Sequence, residues 1–319
     1  MHITFCSVGN KPQPWLDGLR AALPGAVVTE WQPGAPPADY AAVWAPMQQF
    51  FDEQTALRGI FNIGAGVDAL MRLRLPQGVP VVRLDDAGMS VQMAEYVCCA
   101  VIRHFRELDD YQASAAAGVW AFRKPRQRRD FAVGVMGLGV LGQRVCQAVA
   151  QFEFPVNGWS RTAKTLPGVQ CYAGGGAGAD TGDGAGGLDA FLANSRVLVC
   201  LLPLTPATEG ILNKTTLAKL PPGGYLINVA RGAHVVDDDL IALIDSGRMA
   251  GATLDVFRQE PLPSAHPFWA HPQITVTPHT AARTLREESI AQIAAKIQAL
   301  QAGVPITQLT GWVDLNQGY

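Results

Sequence analysis

Three ionisable residues in the second half of the chain, Arg231, Glu260 and His279, each follow a short apolar segment. An arginine can pair with a carboxylate and polarise a carbonyl group. A protonated histidine can donate a proton to an oxygen that becomes negative as a hydride reaches carbon, and a nearby glutamate favours the protonated imidazole. These residue types fit the reduction of a 2-oxo acid. Each also has an ordinary alternative, as a surface arginine, a capping glutamate or a loop histidine.

A glycine-rich turn lies where a dinucleotide could bind, because it directly follows the apolar run 131–136 and opens a helical pattern. In such a turn the first glycine permits a sharp bend and the second lets the backbone approach a pyrophosphate. The third allows close helix–strand packing, and the helix N-terminus offers N–H groups to the anion. The sequence thus predicts a cofactor site that includes Gly137, Gly139, Val140, Leu141 and Gly142.

The end of the next predicted strand indicates which dinucleotide binds. A site for NAD usually has an aspartate or glutamate here, which accepts a hydrogen bond from the ribose 2′-hydroxyl. This chain instead has Ser160, Arg161 and Thr162, with Lys164 shortly after. A hydroxyl and two cations suit a 2′-phosphate. We therefore expect NADPH as the cofactor, with NADH as a weaker alternative. The other interpretation is an exposed turn that is basic by chance.

Short apolar runs alternate with helical patterns along most of the chain, which is typical of βα units on a parallel sheet. We predict an α/β fold of two doubly wound parallel-sheet (Rossmann-like) domains with an interdomain active-site cleft. The substrate domain would comprise residues 1–98 plus 285–319, and the NAD(P)-binding domain residues 99–284. The predicted strands are Ile3–Val8, Ala41–Trp44, Ile60–Ile63, Val81–Leu84, Phe131–Met136, Val156–Trp159, Val197–Leu202, Tyr225–Asn228, Ala252–Asp255 and Ile274–Val276.

The remaining segments are interpreted from their composition. A helical pattern without Gly or Pro runs from about Ser90 toward Ala117, long enough to bridge two domains or to form a dimer interface. The last helix is predicted at about Leu285 to Ala302. The glycine-rich stretch 173–187 is expected to be a flexible surface loop, because its composition cannot bury a core. The basic stretch 123–129 is expected to be a solvated loop.

The overall composition argues against several classes of protein. The 319 residues include 25 Lys+Arg and 27 Asp+Glu, for a net charge of -2, so no nucleic-acid partner is expected. No apolar run approaches the ~18 residues that span a bilayer, so no membrane association is expected. The N-terminus is interpreted as a strand, not a signal peptide. The six cysteines include no Cys-x-x-Cys pair, which favours reduced thiols, a cytoplasmic protein and no metal site.

The order and spacing of these motifs across about half of the chain resemble the D-isomer-specific 2-hydroxyacid dehydrogenase family. Further segments resemble its glyoxylate/hydroxypyruvate reductase A branch, and together the similarity covers nearly the whole chain. The motifs are Gly137–Gly142, Asn228–Gly232, Leu254–Phe257, Glu260–Leu262 and Thr277–His279. The branch-specific segments are Val43–Trp44, Gly64–Asp68, Asp86–Met89, Gln92–Tyr96, Trp159–Thr162, Leu201–Pro203 and Gly318–Tyr319.

The resemblance implies a role for each matching residue. Arg231 would bind the carboxylate and carbonyl of the substrate, His279 would be the general acid, and Glu260 would hold His279. The substrate site would also include Trp44 as a wall and the backbone N–H groups of Ala65, Gly66 and Val67. The resemblance adds Leu202, Pro203, Val229, Ala230 and Asp255 to the cofactor site, and it implies a homodimer. Arg283 departs from the pattern of the family. It could add an anion contact and widen the choice of substrate, but we expect it to face solvent.

The sequence therefore predicts an NADP-dependent oxidoreductase that reduces small 2-oxo acids, foremost glyoxylate and hydroxypyruvate, with the histidine as general acid. One alternative is an NAD-dependent D-2-hydroxyacid dehydrogenase of another small acid. Another is a dinucleotide-sensing binding protein on the same fold. The combination of Arg231, Glu260 and His279 weighs against a sensor, which needs none of these side chains. Neither the preferred acid nor the physiological direction follows from the sequence.

Overall fold

The computed structural model describes residues 1–174 and 187–318. Most of the glycine-rich stretch 173–187, predicted to be a surface loop, lies outside the described residues. The chain divides into two compact units. The first consists of Met1–Met89 together with the chain from Thr284 onward, and the second consists of Ser90–Arg283.

The first boundary lies nine residues before the predicted one, which was placed between residues 98 and 99. The reason is the packing of the helix that begins at Met89. Its buried residues Met93, Val97 and Val101 belong to a hydrophobic cluster that also contains Val133 and Val135 of the second sheet. Most of the apolar residues of this helix therefore lie in the core of the second unit. The second boundary lies between residues 283 and 284, one residue before the prediction.

The first unit is built on a parallel sheet with the strand order β2-β1-β3-β4-β5. This is a doubly wound order with a switch point between β1 and β3, where ligands bind at the carboxyl ends of the strands. Its elements are β1 His2–Ser7, α1 Gln13–Ala22, β2 Val27–Glu30, β3 Tyr40–Trp44, α2 Gln48–Glu53, β4 Gly59–Asn62, α3 Asp68–Met71, β5 Val81–Arg83 and α10 Arg286–Gln301.

The second unit contains a larger parallel sheet with the order β12-β11-β10-β9-β6-β7-β8. Its switch point lies between β6 and β9. The helices are α4 Met89–Phe105, α5 Leu108–Ala116, α6 Val140–Ala150, α7 Leu188–Ala193, α8 Lys214–Leu217 and α9 Asp237–Asp245. The strands are β6 Val133–Met136, β7 Val156–Ser160, β8 Val169–Ala173, β9 Val197–Cys200, β10 Gly224–Asn228, β11 Met249–Leu254 and β12 Ile274–Val276.

These two sheets with their helices confirm the predicted Rossmann-like fold class. The central strands β6, β9 and β10 are buried along their whole length, as expected for parallel strands that helices cover on both faces. The edge strands β2 and β8 were not predicted. Both are partly exposed and carry polar residues, so they lack a continuous apolar run. Within residues 1–174 and 187–318, no helix is both long enough and apolar enough to cross a membrane.

The prediction of one long helix from Ser90 toward Ala117 was wrong, because α4 and α5 are separate helices. The chain turns at Glu107, whose φ of 54° is left-handed. The Glu107 carboxylate lies 3.2 Å from Arg126 and 3.4 Å from Arg123. Basic residues end α4 and acidic residues begin α5, an arrangement that favours two helix dipoles over a continuous helix.

Much of the basic stretch 123–129 is exposed, as expected for a solvated loop, but several of its arginines also make specific contacts. Besides the ion pairs with Glu107, the Arg126 guanidinium donates a hydrogen bond to the His104 carbonyl at 2.9 Å. Arg128 lies over the rings of Phe105 and Phe154 and donates to the Phe152 carbonyl at 2.9 Å. These contacts hold the segment against the end of α4.

Candidate active site

The second sheet aligns the ends of its strands. Asn228, the last residue of β10, pairs with Leu254 of β11 and with Cys200 of β9. Leu254 also pairs with Val276, and Cys200 with Met136. Because all these strands run parallel, the residues that follow their ends share one edge of the sheet. This edge carries the turns that contain Gly137, Leu202, Arg231, Asp255 and His279.

His279 and Glu260 are joined by a short hydrogen bond. Nδ1 of His279 lies 2.7 Å from Oε2 of Glu260, and the other carboxylate oxygen accepts a hydrogen bond from the Phe257 N–H at 2.9 Å. Both oxygens of the carboxylate are thus engaged, which fixes the orientation of the imidazole. The His279 side chain is 45% exposed, so a small molecule can reach it.

Several influences compete at the Glu260 carboxyl group. Partial burial is the largest single one, and it raises the pKa of Glu260. The hydrogen bonds from His279 and from the Phe257 N–H, together with the charges of His279 and Arg231, outweigh burial and hold this pKa below its ordinary value. The charge of Arg231 therefore acts on Glu260, so the structure brings the three predicted catalytic residues together.

Arg231 is placed by the turn that follows β10. The fully buried Asn228 side chain donates to the Arg231 carbonyl at 2.9 Å and accepts from the Ala230 N–H at 3.2 Å. The guanidinium Nη1 donates to the Ala230 carbonyl at 2.7 Å. The next residue, Gly232, lies against the loop that carries Glu260, since a Cβ atom there would be 1.9 Å from the Phe257 carbonyl carbon. Only glycine permits this approach of the two loops.

The loop that carries His279 is organised by Asp255. The Asp255 side chain is 1% exposed, and its carboxylate accepts three close hydrogen bonds. The donors are the Thr277 hydroxyl at 2.5 Å and the N–H groups of Thr280 and Ala281 at 2.8 Å each. The His279 N–H donates to the Asp255 carbonyl at 2.8 Å. The sequence predicts that Asp255 is a cofactor residue; in the structure its carboxylate holds this loop.

The glycine turn has the shape that a pyrophosphate requires. Gly137 has a φ of 104°, and a Cβ atom there would lie 2.6 Å from the Leu201 carbonyl oxygen. A Cβ atom on Gly142 would lie 1.8 Å from the Gly137 carbonyl oxygen, so the helix packs tightly on the turn. At Gly139 the corresponding space is open. No described side chain caps α6 where it begins at Val140, which leaves its N–H groups for an anion.

The four residues predicted to bind a 2′-phosphate follow β7 directly. Arg161, Thr162 and Lys164 are exposed, whereas Ser160 is buried and its hydroxyl donates to the Thr162 carbonyl at 2.8 Å. The Lys164 ammonium donates to the Leu138 carbonyl at 2.6 Å. The basic turn after β7 is thus linked to the glycine turn after β6, and both lie at one end of the dinucleotide fold.

The other predicted cofactor residues lie at the same edge of the sheet. The Pro203 carbonyl lies 3.3 Å from Nε2 of His234, and Nδ1 of the same ring is 3.3 Å from the Arg231 backbone nitrogen. The fully buried His234 therefore connects the turn after β9 with the turn after β10. The remaining members of this group are buried: Leu202, Val229 and Ala230.

In the first unit, the predicted substrate loop turns its carbonyl groups inward. The Asn62 side chain donates to the carbonyls of Gly64 at 2.8 Å and Gly66 at 2.9 Å, and Arg83 donates to that of Ala65 at 3.4 Å. In a trans peptide the N–H points away from the C=O of the same peptide unit. The N–H groups of residues 65–67 therefore point away from these donors, as an anion-binding loop requires. Trp44 follows at the end of β3.

The sequence prediction missed several polar residues that shape these turns. Asn62 and Asn228 are the last residues of β4 and β10, and Thr277 directly follows β12. A polar residue at the carboxyl end of an otherwise apolar strand was the available signal. His234 and Tyr96 gave no comparable signal, because the contact of His234 with Pro203 and that of Tyr96 with Thr277 join segments distant in sequence.

Comparison with known proteins gives a consistent assignment. Residues 98–281 match the family described as D-isomer specific 2-hydroxyacid dehydrogenase, NAD binding domain. The chain is 44% identical over 326 aligned positions to glyoxylate/hydroxypyruvate reductase A of Yersinia enterocolitica, and the alignment covers 100% of both proteins.

Two solved structures are similar over their whole length. A D-isomer specific 2-hydroxyacid dehydrogenase from Xanthobacter autotrophicus Py2, in complex with NADPH and MES, has a TM-score of 0.91 and 40% identity and covers 100% of this chain and 99% of its own. An NADPH-dependent glyoxylate/hydroxypyruvate reductase from Sinorhizobium meliloti, in complex with NADP and sulfate, has a TM-score of 0.90 and 34% identity, with 100% of each chain covered.

The lowered pKa of Glu260 predicts that this carboxyl group makes the stability of the fold depend on pH. A carboxyl group with a lowered pKa in the folded state stabilises the fold above its ordinary pKa, and the contribution is lost as the pH falls through the folded-state value. Glu260→Gln should therefore destabilise the protein at pH 7 by about 1 kcal/mol or less, since the site is partly exposed. Urea unfolding at pH 7 and at about pH 3.5 should show this difference shrinking at the lower pH. A difference that does not depend on pH would contradict it.

Proposed function

The chain belongs to the D-isomer specific 2-hydroxyacid dehydrogenase family, and on this basis we propose that it catalyses the NADPH-dependent reduction of glyoxylate and hydroxypyruvate to 2-hydroxy acids. It is an oxidoreductase of the class that acts on CH–OH groups. The observation that carries the proposal is the arrangement of Arg231, Glu260 and His279 at one edge of the second sheet. The high identity to a glyoxylate/hydroxypyruvate reductase A over the whole chain supports the choice of substrates.

In this proposal His279 is the proton donor. Glu260 binds Nδ1, which leaves Nε2 to donate a proton to the carbonyl oxygen of the substrate as negative charge develops there. The Glu260 carboxylate, whose pKa is lowered, remains charged and accepts a hydrogen bond from Nδ1, which fixes the orientation of the ring. NADPH, when bound, supplies the hydride that the carbonyl carbon accepts.

Arg231 in the second unit and the loop of residues 65–67 in the first unit are each proposed to bind a carboxylate. A guanidinium pairs with a carboxylate through two parallel hydrogen bonds and also polarises a neighbouring carbonyl group. The inward-turned carbonyls of residues 64–66 support our proposal that the N–H groups of Ala65, Gly66 and Val67 bind the carboxylate of the substrate. Trp44 would form an apolar wall for a small substrate.

The residues present fit a phosphorylated dinucleotide. The open space at Gly139 and the uncapped start of α6 would hold the pyrophosphate. Arg161 and Lys164 would hold the 2′-phosphate, with Ser160 and Thr162 shaping their turn. No Asp or Glu occurs between Glu153 and Asp180, so no carboxylate of this segment opposes a phosphate. Leu202, Pro203, Val229, Ala230 and Asp255 complete the proposed cofactor site.

We further propose that the protein is a homodimer that uses an exposed apolar face next to α5. Trp120 is 101% exposed and Phe122 is 84% exposed, although both are large and apolar. With Tyr111 and Val119 they line a groove beside the helix. Exposed aromatic clusters of this kind mark protein interfaces. A second copy of this chain presents the same apolar face, so a two-fold symmetric contact would cover both faces at once.

A cytoplasmic location is also part of the proposal. All six cysteines are free, and most of them are buried or half-buried. Burial raises the pKa of the Cys146 and Cys200 thiols to about 12, which keeps them protonated. Unpaired thiols are typical of proteins in a reducing compartment.

Replacement of His279 tests the proposed chemistry. The wild type should oxidise NADPH, followed at 340 nm, when glyoxylate or hydroxypyruvate is added. His279→Ala should lower kcat by about 100- to 10,000-fold, the usual contribution of a general acid, while NADPH binding measured by calorimetry is retained. His271→Ala is the matched control, because His271 also contacts a carboxylate, that of Asp245 at 3.2 Å, but precedes β12 and lies away from the site.

The possible outcomes separate the competing functions. Full activity of His279→Ala would refute the assigned general acid. A wild type that binds NADPH but reduces neither acid nor pyruvate would instead indicate a dinucleotide-sensing protein. Faster turnover with NADH than with NADPH would overturn the cofactor assignment.

A second test addresses cofactor choice. Arg161→Ala should raise the KM for NADPH about 10- to 100-fold, because a charge-assisted hydrogen bond contributes about 1.5–3 kcal/mol. The KM for NADH, which has no 2′-phosphate, should change little. Arg129→Ala, which removes another exposed arginine of the second unit, is the control. Equal losses with both cofactors would count against a 2′-phosphate contact.

The homodimer proposal predicts a change in mass. The wild type should elute in light-scattering chromatography at twice the chain mass of 34.0 kDa. Trp120→Ser should shift the population toward the monomer at low micromolar concentration, because an aromatic anchor at the centre of an interface is removed. Trp269→Ser alters another tryptophan, which is 51% exposed, and should leave the mass unchanged. A monomeric wild type would refute the proposal.

A further inference from the structure

Two side chains of α4, four residues apart and therefore on one face of the helix, contact the two ends of the segment that carries His279. The Tyr96 hydroxyl lies 2.6 Å from the Thr277 hydroxyl. The Gln92 side-chain amide donates to the Arg283 carbonyl at 3.0 Å and accepts from the Arg283 N–H at 3.2 Å. The helix thus brackets residues 277–283, although none of the roles described so far uses Gln92 or Tyr96.

The hydrogen bonds from Tyr96 run in a defined direction toward Asp255. The Thr277 hydroxyl donates its single proton to the Asp255 carboxylate at 2.5 Å, so its oxygen accepts the proton of Tyr96. Burial, the largest influence, raises the pKa of Tyr96 to about 12, and the phenol therefore remains a donor throughout the physiological range. The same carboxylate accepts from the N–H groups of Thr280 and Ala281, which directly follow His279.

This loop needs external support because its backbone is strained. His279 has a φ of 53°, in the left-handed region that side chains other than glycine rarely adopt. Such a conformation costs about 1–3 kcal/mol and persists only where the surroundings impose it. The immediate surroundings are the Asp255 carbonyl and carboxylate, which are oriented in turn by Thr277.

We propose that Tyr96 is a positioning residue for the reduction proposed above: through Thr277 and Asp255, its hydroxyl holds the strained loop in the conformation that presents His279. Tyr96 itself donates no proton to the substrate. Gln92 supports the same loop from its other end by fixing the backbone of Arg283. The expected effect on kcat rests on the proposed function. The effect on the loop does not, because it can be measured without activity.

The experiment compares two Tyr→Phe substitutions. Tyr96→Phe removes only the hydroxyl and should lower kcat for glyoxylate about 3- to 10-fold, the loss expected for one neutral hydrogen bond, with the KM for NADPH unchanged. Tyr225→Phe is the matched control. Its hydroxyl also contacts threonines, Thr253 at 2.9 Å and Thr275, and is buried in the same unit, but these partners lie within β11 and β12 and not in residues 277–283. Tyr225→Phe should leave kcat unchanged.

Substitutions at Thr277 provide a rescue test that a purely structural role would not satisfy. Thr277→Ser retains the hydroxyl and should retain most of kcat. Thr277→Val has nearly the same shape, but it leaves the Tyr96 hydroxyl and one Asp255 oxygen without this partner, so it should lower kcat at least as far as Tyr96→Phe. Equal kcat values for the Ser and Val variants would overturn the inference.

Hydrogen exchange gives a readout that does not need activity. In the holoenzyme with NADPH, the amides of Thr280 and Ala281 should exchange faster in Tyr96→Phe than in the wild type, and not in Tyr225→Phe. Unchanged exchange together with unchanged kcat would refute the role of Tyr96. Faster exchange in a protein whose wild type reduces no 2-oxo acid would refute the proposed function while retaining the coupling between Tyr96 and the loop.

Discussion

The structure of the site depends on one buried carboxylate, that of Asp255. A buried carboxylate is costly unless hydrogen bonds replace its hydration, and here three donors from a single loop do so. Two of these donors are backbone N–H groups on the residues that follow His279, so satisfying the charge also determines the path of the chain at His279. The left-handed φ of that residue follows from this requirement. The fold thus uses a desolvated charge to impose a strained conformation at the position of the proposed proton donor.

The parallel sheet determines which side chains can meet there. Because the strands from β6 to β12 end in register, the turns after them lie side by side, and short-range packing completes the arrangement. Gly232 lets the turn that carries Arg231 approach the loop that carries Glu260, and Asn228 fixes the start of that turn. The functional residues are far apart in sequence, yet the location of each in the fold is determined by its position relative to the end of a strand. This explains why motifs placed just after apolar runs are informative about chemistry.

The same reasoning shows what the sequence could and could not predict. Buried central strands such as β6, β9 and β10 are continuous apolar runs and were predicted, whereas the edge strands β2 and β8 are partly exposed, include polar residues and were missed. The break at Glu107 depends on ion pairs with arginines that lie about 16 to 19 residues later, which helical periodicity cannot show. The residue types of Arg231, Glu260 and His279 indicated their chemistry. The use of the Asp255 carboxylate in the loop depends on tertiary contacts and could not be predicted.

The electrostatics of the site resolve a conflict that the proposed reaction creates. The proposed reaction uses two cations, the guanidinium of Arg231 and the proton-carrying form of His279, and like charges repel one another. Glu260 interacts with both groups. Partial burial raises the pKa of Glu260, but the hydrogen bonds from His279 and from the Phe257 N–H, followed by the charges of His279 and Arg231, hold it below its ordinary value. A neutral residue at position 260 could still orient the imidazole through a hydrogen bond, but it would place no negative charge beside the two cations. For this reason a charged residue at this position serves both substrate binding and proton donation.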